Sequence, residues 1–299
     1  MKHRVRMFSL LLLTLITLSA GTVLGIVAFL QPVSIHARSA GKVHLTGTKQ
    51  QVQAHSGTNL SYHGGPVMGG TTHAYAIFWE PTGSTVSASY HSLIERYFGD
   101  IGGSKLYQNN RQYPDANGNI ASNAVLAGSW VDRTNYPSNP MHDADIQNEV
   151  THAQSMNGWT SSLGNIFFVF TAKGETICNF VGCSFSAFCA YHGYFGGNTI
   201  YAAIPYTGTQ LNVCGVPSPN HDADADSTIN MISHEQNEAA TDPLLNAWFN
   251  AAGDEIGDPC NYSFGRLNSR GGDVVWNGHP YEMQKEWDNA KRGCVLRGP

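Results

Sequence analysis

Residues Ile166 to Thr171 read Ile-Phe-Phe-Val-Phe-Thr, an unbroken apolar run of strand length. Such a run offers no polar side to water and is expected at the centre of a sheet. Three further stretches have strand composition: Thr72 to Trp79, Val125 to Val131, and Thr199 to Tyr206. The first is β-branched and aromatic and stops at Glu80-Pro81. Between them lie two helical patterns. Tyr90, Leu93, Ile94, Tyr97 and Phe98 recur at helical spacing over Ser87 to Gly99, and Gly99 is expected to end that helix. Asp143 is expected to cap the second, which carries Ile146, Val150, Ala153 and Met156. A cysteine-dense loop is expected from Cys178 to Phe195.

A third helix carries the chemistry. It is expected over about Thr228 to Thr241, with Ile229, Ile232, Ala239 and Ala240 towards the core and Asp242-Pro243 as its stop. On a helix, His234 and Glu238 project from one face a turn apart. Glu235 lies beside His234. This H-E-x-x-E pattern departs by one residue from H-E-x-x-H, in which two ligands hold zinc and the intervening Glu serves as general base. Carboxylate oxygen also ligates zinc, so His234 and Glu238 are expected metal ligands and Glu235 the expected base. Glu255 and Asp258, downstream in Glu-Ile-Gly-Asp-Pro-Cys260, are alternative third ligands. The resulting expectation is a zincin-like α+β domain, a twisted mixed sheet over the site helix with a loop-rich C-terminal part.

Other readings of the same residues are weaker. Asp222, Asp224 and Asp226 alternate like the opening of a calcium loop, but Ser227 stands where the glycine belongs and Ser233 where the closing Glu belongs. Ca2+ therefore ranks behind Zn2+, and the acidic run is expected to cap the helix through Asp226 or Ser227. Cys189-Ala-Tyr-His192 sets a thiol near an imidazole, yet disulfide use accounts for the cysteine. No G-x-S-x-G elbow and no phosphate-binding glycine loop occurs.

Lys2, His3, Arg4 and Arg6 precede an apolar run from Met7 to Leu30, the layout of an export signal. Residues 1–39 are expected as a signal peptide or signal anchor. A polar, Gly- and Ser-containing linker is expected over 40–62, and a folded extracellular domain over 63–299. All 6 cysteines lie beyond the export segment and are expected as disulfides, with Cys260–Cys294 as one pair. Net charge is −5 and no basic run follows the N-terminus, so nucleic acid is not an expected partner.

Several of these pieces together resemble the EXORDIUM (phosphate-induced protein 1) family, known from plant cell walls and also found in bacteria. They are His63-Gly-Gly-Pro66, Cys189-Ala-Tyr-His192-Gly, and His234-Glu-Gln-Asn-Glu238. Asp242-Pro-Leu-Leu-Asn-Ala-Trp248 and Glu255-Ile-Gly-Asp-Pro-Cys260 complete the set. The resemblance covers roughly residues 60 to 295. It implies a secreted, wall- or surface-associated protein and supplies no reaction. The chain departs from the plant pattern in its extended Cys178–Cys189 loop, so the family's disulfide pairing is not carried over.

Two functions are expected from this reading. The first is a secreted metal-dependent hydrolase, a peptidase foremost, acting on a peptide or cell-surface polymer. The second is a non-catalytic cell-surface or carbohydrate-associated protein with a structural metal. Membrane contact is expected only through an uncleaved N-terminal anchor.

Overall fold

The computed structural model describes residues 43–51 and 58–299. The export segment expected over 1–39 lies outside the described residues. A six-stranded mixed sheet organises the domain. Its strands in chain order are β1 (Val43–Thr46), β2 (Gly70–Trp79), β3 (Ala121–Asp132), β4 (Asn165–Thr171), β5 (Ala190–Phe195) and β6 (Thr199–Ile204). Across the sheet the order is β1-β5-β6-β4-β2-β3. β6, β4, β2 and β3 run parallel, while β5 is antiparallel to both of its neighbours, β6 and β1.

The apolar run of β4 explains the layering. Ile166, Phe168 and Phe170 enter one core, and Phe167 and Val169 enter another on the opposite face. On β2, Ala74, Ala76 and Phe78 face the first core, and Ile77 and Trp79 the second. A strand buried on both sides cannot alternate polar and apolar residues, hence the continuous hydrophobic sequence. Each fully buried Phe contributes about 1.5–3 kcal/mol relative to exposure.

Helices α1 (Tyr90–Ile101) and α3 (Ala223–Thr241) cover the first face. Helix α2 (Asp143–Asn157) covers the second through Ile146, Val150 and Ala153. It starts where the His142 amide donates to Asp145 Oδ2 at 2.8 Å and stops at Gly158 with φ of 69°. The α+β class with a mixed sheet matches the sequence expectation.

Four local expectations need correcting. Gly99 lies inside α1, where an added Cβ would meet nothing within 4 Å, and the helix runs on to Ile101. Helix α3 begins a turn earlier than expected, because Asp222 rather than Asp226 or Ser227 caps it, accepting the Ala225 amide at 3.1 Å. The segment 178–195 contains β5. Residues 43–46, inside the stretch 40–62 read as linker, form β1 and pair with β5. Composition averaged over that polar stretch hides a four-residue strand, Val-His-Leu-Thr.

Among the described residues no helix is long and apolar enough to cross a membrane. All six cysteines are paired, as Cys178–Cys183, Cys189–Cys214 and Cys260–Cys294. Full pairing fits an oxidising, extracellular setting.

Candidate metal centre

Every residue of α3 from Ala225 to Thr241 is buried. Its polar side chains therefore need partners within the protein. Tyr97 donates to Gln236 at 3.0 Å, Asn110 to Asn237 at 2.9 Å, and the Gln284 amide to Asn230 at 2.9 Å. Beyond the helix, Asp242 accepts the Asn246 and Ala247 amides at 2.6 and 2.7 Å. That turn sends the chain back along α3 and returns Glu255 and Asp258 to its side.

Sheet register brings up the other wall. His44 on β1 is paired directly with His192 on β5, and directly opposed residues share a face. Thr46, two residues after His44, shares it too. That face meets α3. Three imidazoles thus converge from three elements: His44, His192 and His234.

Their contacts form a compact cluster. His234 Nε2 lies 2.9 Å from Glu238 Oε1 and 3.7 Å from Asp258 Oδ1. His44 Nε2 lies 2.5 Å from Asp258 Oδ2 and 3.9 Å from Glu238 Oε1, while its Nδ1 faces Glu255 Oε1 at 3.3 Å. His192 Nδ1 is 3.0 Å from Glu235 Oε2 and 3.7 Å from Glu238 Oε2, and its Nε2 is 3.6 Å from Glu255 Oε2. The Thr46 hydroxyl donates to Glu235 Oε1.

Five buried atoms of this cluster have no well-aligned hydrogen bond: His192 Nε2, His234 Nε2, both oxygens of Glu238, and Glu255 Oε2. No Lys or Arg forms an ion pair with these carboxylates among the described residues. Glu238 belongs to three overlapping donor groups, with His44 and Asp258, with His192 and Glu255, and with His234 and Glu235. In each group the donor atoms lie within 4.8 Å of one another. Ligand-type atoms facing each other with no Lys or Arg among them fit a divalent cation, which would satisfy them together.

Electrostatics follow the same arrangement. Burial pushes the Glu235 carboxyl up to about 7, against the opposing pull of His234 and the Thr46 hydrogen bond. Burial also raises Glu238, aided by the Asp258 charge, and raises Glu255 well above the carboxylate range. Asp258 goes the other way. Burial opposes its ionisation, but the neighbouring His44 and His234 override that and hold it well below its ordinary value. Burial brings His192 down to about 4.

No known family model matches the chain, and no solved structure matches it. Among curated proteins it is 24% identical over 258 residues to Protein EXORDIUM-like 5 of Arabidopsis thaliana, spanning 74% of this chain and 69% of that protein. It is also 24% identical over 242 residues to Protein EXORDIUM-like 3 of the same plant, spanning 69% of each. The chain is similar to these two EXORDIUM-like proteins.

In this chain all five residues expected from the helix motif and its downstream loop come together: His234, Glu235, Glu238, Glu255 and Asp258. Four contributors were not foreseen. His44 and Thr46 lie in the stretch read as linker. His192 was read beside Cys189, whose sulfur is bonded to Cys214, and its imidazole serves the cluster instead. Gln284 was missed altogether. Its amide nitrogen lies 2.9 Å from His234 Nδ1 and donates to the Gly257 carbonyl at 2.9 Å, tying the ring to the returning loop.

Gly257 has a specific reason to be glycine. A Cβ there would stand 2.8 Å from His234 Cε1 and 3.0 Å from Glu238 Oε1. The three Asp residues at the α3 start are occupied locally: Asp222 by Ser89 and Ala225, Asp224 by Tyr206, and Asp226 by Ser218 and Asn220. They do not form a calcium loop.

Proposed function

We propose that the chain is a zincin-like, metal-dependent hydrolase of the cell exterior, acting on peptide or a cell-surface polymer. The observation that carries the reading is the set of mutually facing ligand-type atoms on His192, His234, Glu238 and Glu255. His234 Nε2 and Glu238 would hold the ion. Asp258 rather than Glu255 is the better third ligand, since its two oxygens face the Nε2 atoms of His44 and His234. His44, on the exposed side, would stand at the fourth position, which on the hydrolase reading is left to water and on the structural reading is filled by its imidazole. Glu255, against His44 Nδ1, would orient that ring, as Gln284 orients His234.

A divalent transition ion held there would supply electrophilic polarisation of a carbonyl and would acidify water. The chain's own residues do the rest. Glu235 accepts the proton at a carboxylate oxygen. His192 Nδ1 and the Thr46 hydroxyl fix that carboxylate from two sides. A cavity of about 340 Å³ lined by His44, Asp254, Asp258 and Asn261 gives substrate an approach on the side where His44 is 21% exposed. His192, His234, Glu235 and Glu238 on the remaining walls are buried.

A second reading is a structural ion in a non-catalytic surface protein. It is favoured by the presence of four protein donors, enough to close a tetrahedral site without water. Glu235→Gln separates the two. On the hydrolase reading it keeps the metal, measured by elemental analysis, and lowers hydrolysis of a peptide library by roughly 100- to 10,000-fold. Equal turnover in wild type and variant, or none in either, sinks the hydrolase reading and leaves the structural one.

A further inference from the structure

A second group of ligand-type side chains lies away from this centre, at the opposite edge of the sheet. Asp132 ends β3, and Glu149 and His152 stand three apart on α2, so their side chains rise from the same face. His152 Nδ1 is 3.3 Å from Asp132 Oδ2 and 3.5 Å from Glu149 Oε2. Both separations exceed an ordinary N–H to O hydrogen bond of about 2.7–3.2 Å. They match the spacing of donors that share one ion at about 2.0–2.2 Å from each. All three donor atoms lie within 4.8 Å of one another.

Glu149 makes this more than an acidic cluster. It is only 3% exposed, its Oε1 has no hydrogen-bond partner, and it lines a cavity of about 270 Å³ with His152, Trp79 and Asn148. The nearest basic residue in sequence, Arg133, is committed to Glu80 at 3.2 Å and does not neutralise the pair. Asp132 is held in place by the Thr134 amide at 2.9 Å and the Thr134 hydroxyl at 2.5 Å. His152 is turned edge-on to Trp130, with ring centroids 5.4 Å apart.

We propose that Asp132, Glu149 and His152 form a second, independent site for a divalent first-row transition ion, three-coordinate from the protein and open to the adjoining cavity. One imidazole with two carboxylates selects the Mn2+ to Zn2+ group over Mg2+ and Ca2+, which prefer oxygen alone. The site joins the end of β3 to the face of α2.

The test is Zn2+ stoichiometry. Metal-stripped protein with its disulfides intact is dialysed against a series of free Zn2+ concentrations, and bound zinc is measured by elemental analysis. His152 is 39% exposed, so His152→Ala keeps the fold, verified by circular dichroism. It should bind one equivalent fewer than wild type. Glu149→Gln should weaken that equivalent by at least about tenfold, as the loss of even an outer partner does. Identical zinc curves for wild type and both variants overturn the proposal. His234→Ala keeps the two sites distinguishable. If His234→Ala binds like wild type while His152→Ala loses one equivalent, the centre under α3 fails and this one stands.

Discussion

At one edge of the sheet, β1 and β5 set His44 and His192 beneath α3. At the other, β3 sets Asp132 beside α2. Both edges gather imidazoles and carboxylates without a Lys or Arg in their midst, but they differ in enclosure. The α3 cluster is sealed except at His44, whereas the α2 cluster carries a histidine that is half in solvent. Enclosure decides what each group costs. A buried carboxylate that loses its partner keeps its desolvation penalty, and the penalty is smaller where the partner lost stands at the protein surface, as His152 does.

The largest expected effect compares the two histidines in chelated protein. His234→Ala takes from the buried Glu238 the imidazole 2.9 Å from its Oε1 and should cost about 3–5 kcal/mol. His152 is itself 39% exposed, so His152→Ala should cost less, about 1–2 kcal/mol. Urea unfolding of both variants measures the gap, and equal losses would erase the distinction. The disulfides offer a parallel contrast. Cys260–Cys294 closes 34 residues beside Asp258, and Cys178–Cys183 closes 5 near the start of α2. Loop-closure entropy predicts about 4 and about 2 kcal/mol for their removal. Paired Cys→Ala variants compared by thermal melting check that order.

The pH dependence sharpens the same contrast. Burial raises Glu235 to about 7, and burial with the Asp132 charge raises Glu149 to about 9, both from an ordinary 4.5. Groups raised on folding give their full stabilisation below pH 4.5 and lose it as pH rises through each folded value. Chelated protein should therefore weaken steadily towards pH 9. Glu235→Gln should remove part of the fall up to pH 7, on the order of 3 kcal/mol, and Glu149→Gln should reduce the fall over the whole range and remove its own share between pH 7 and 9. Urea midpoints at pH 5, 7 and 9 decide it; a flat profile in wild type contradicts both. The smallest effect belongs to Gly257→Ala, which presses a methyl on His234 and Glu238. Overpacking of this kind costs about 1–3 kcal/mol, and zinc affinity should fall with it.

Local pattern carried most of the fold. Each predicted long strand and helix is present because its apolar spacing reports its own surroundings. The half of the centre on α3 and its following loop was legible for the same reason: one turn of helix places His234 and Glu238 together. The other half was not. His44 and Thr46 join through strand pairing across more than 140 residues, and four residues are too few to show a period. His192 was visible but attached to the wrong neighbour, since sequence adjacency to Cys189 says nothing about the strand facing α3. Gln284 carries no motif at all.

The position of β1 has a consequence for maturation. This edge strand is four residues long and lies just behind the segment expected to direct export. A cleavage after Ser39 would release a chain that keeps both His44 and Thr46. A cleavage after Gly47 would release one with the same sheet interior, the same α3 and the same disulfides, yet lacking an imidazole and a hydroxyl at the centre. The exact end left by processing would thus separate a complete form of this protein from an incomplete one of nearly equal mass.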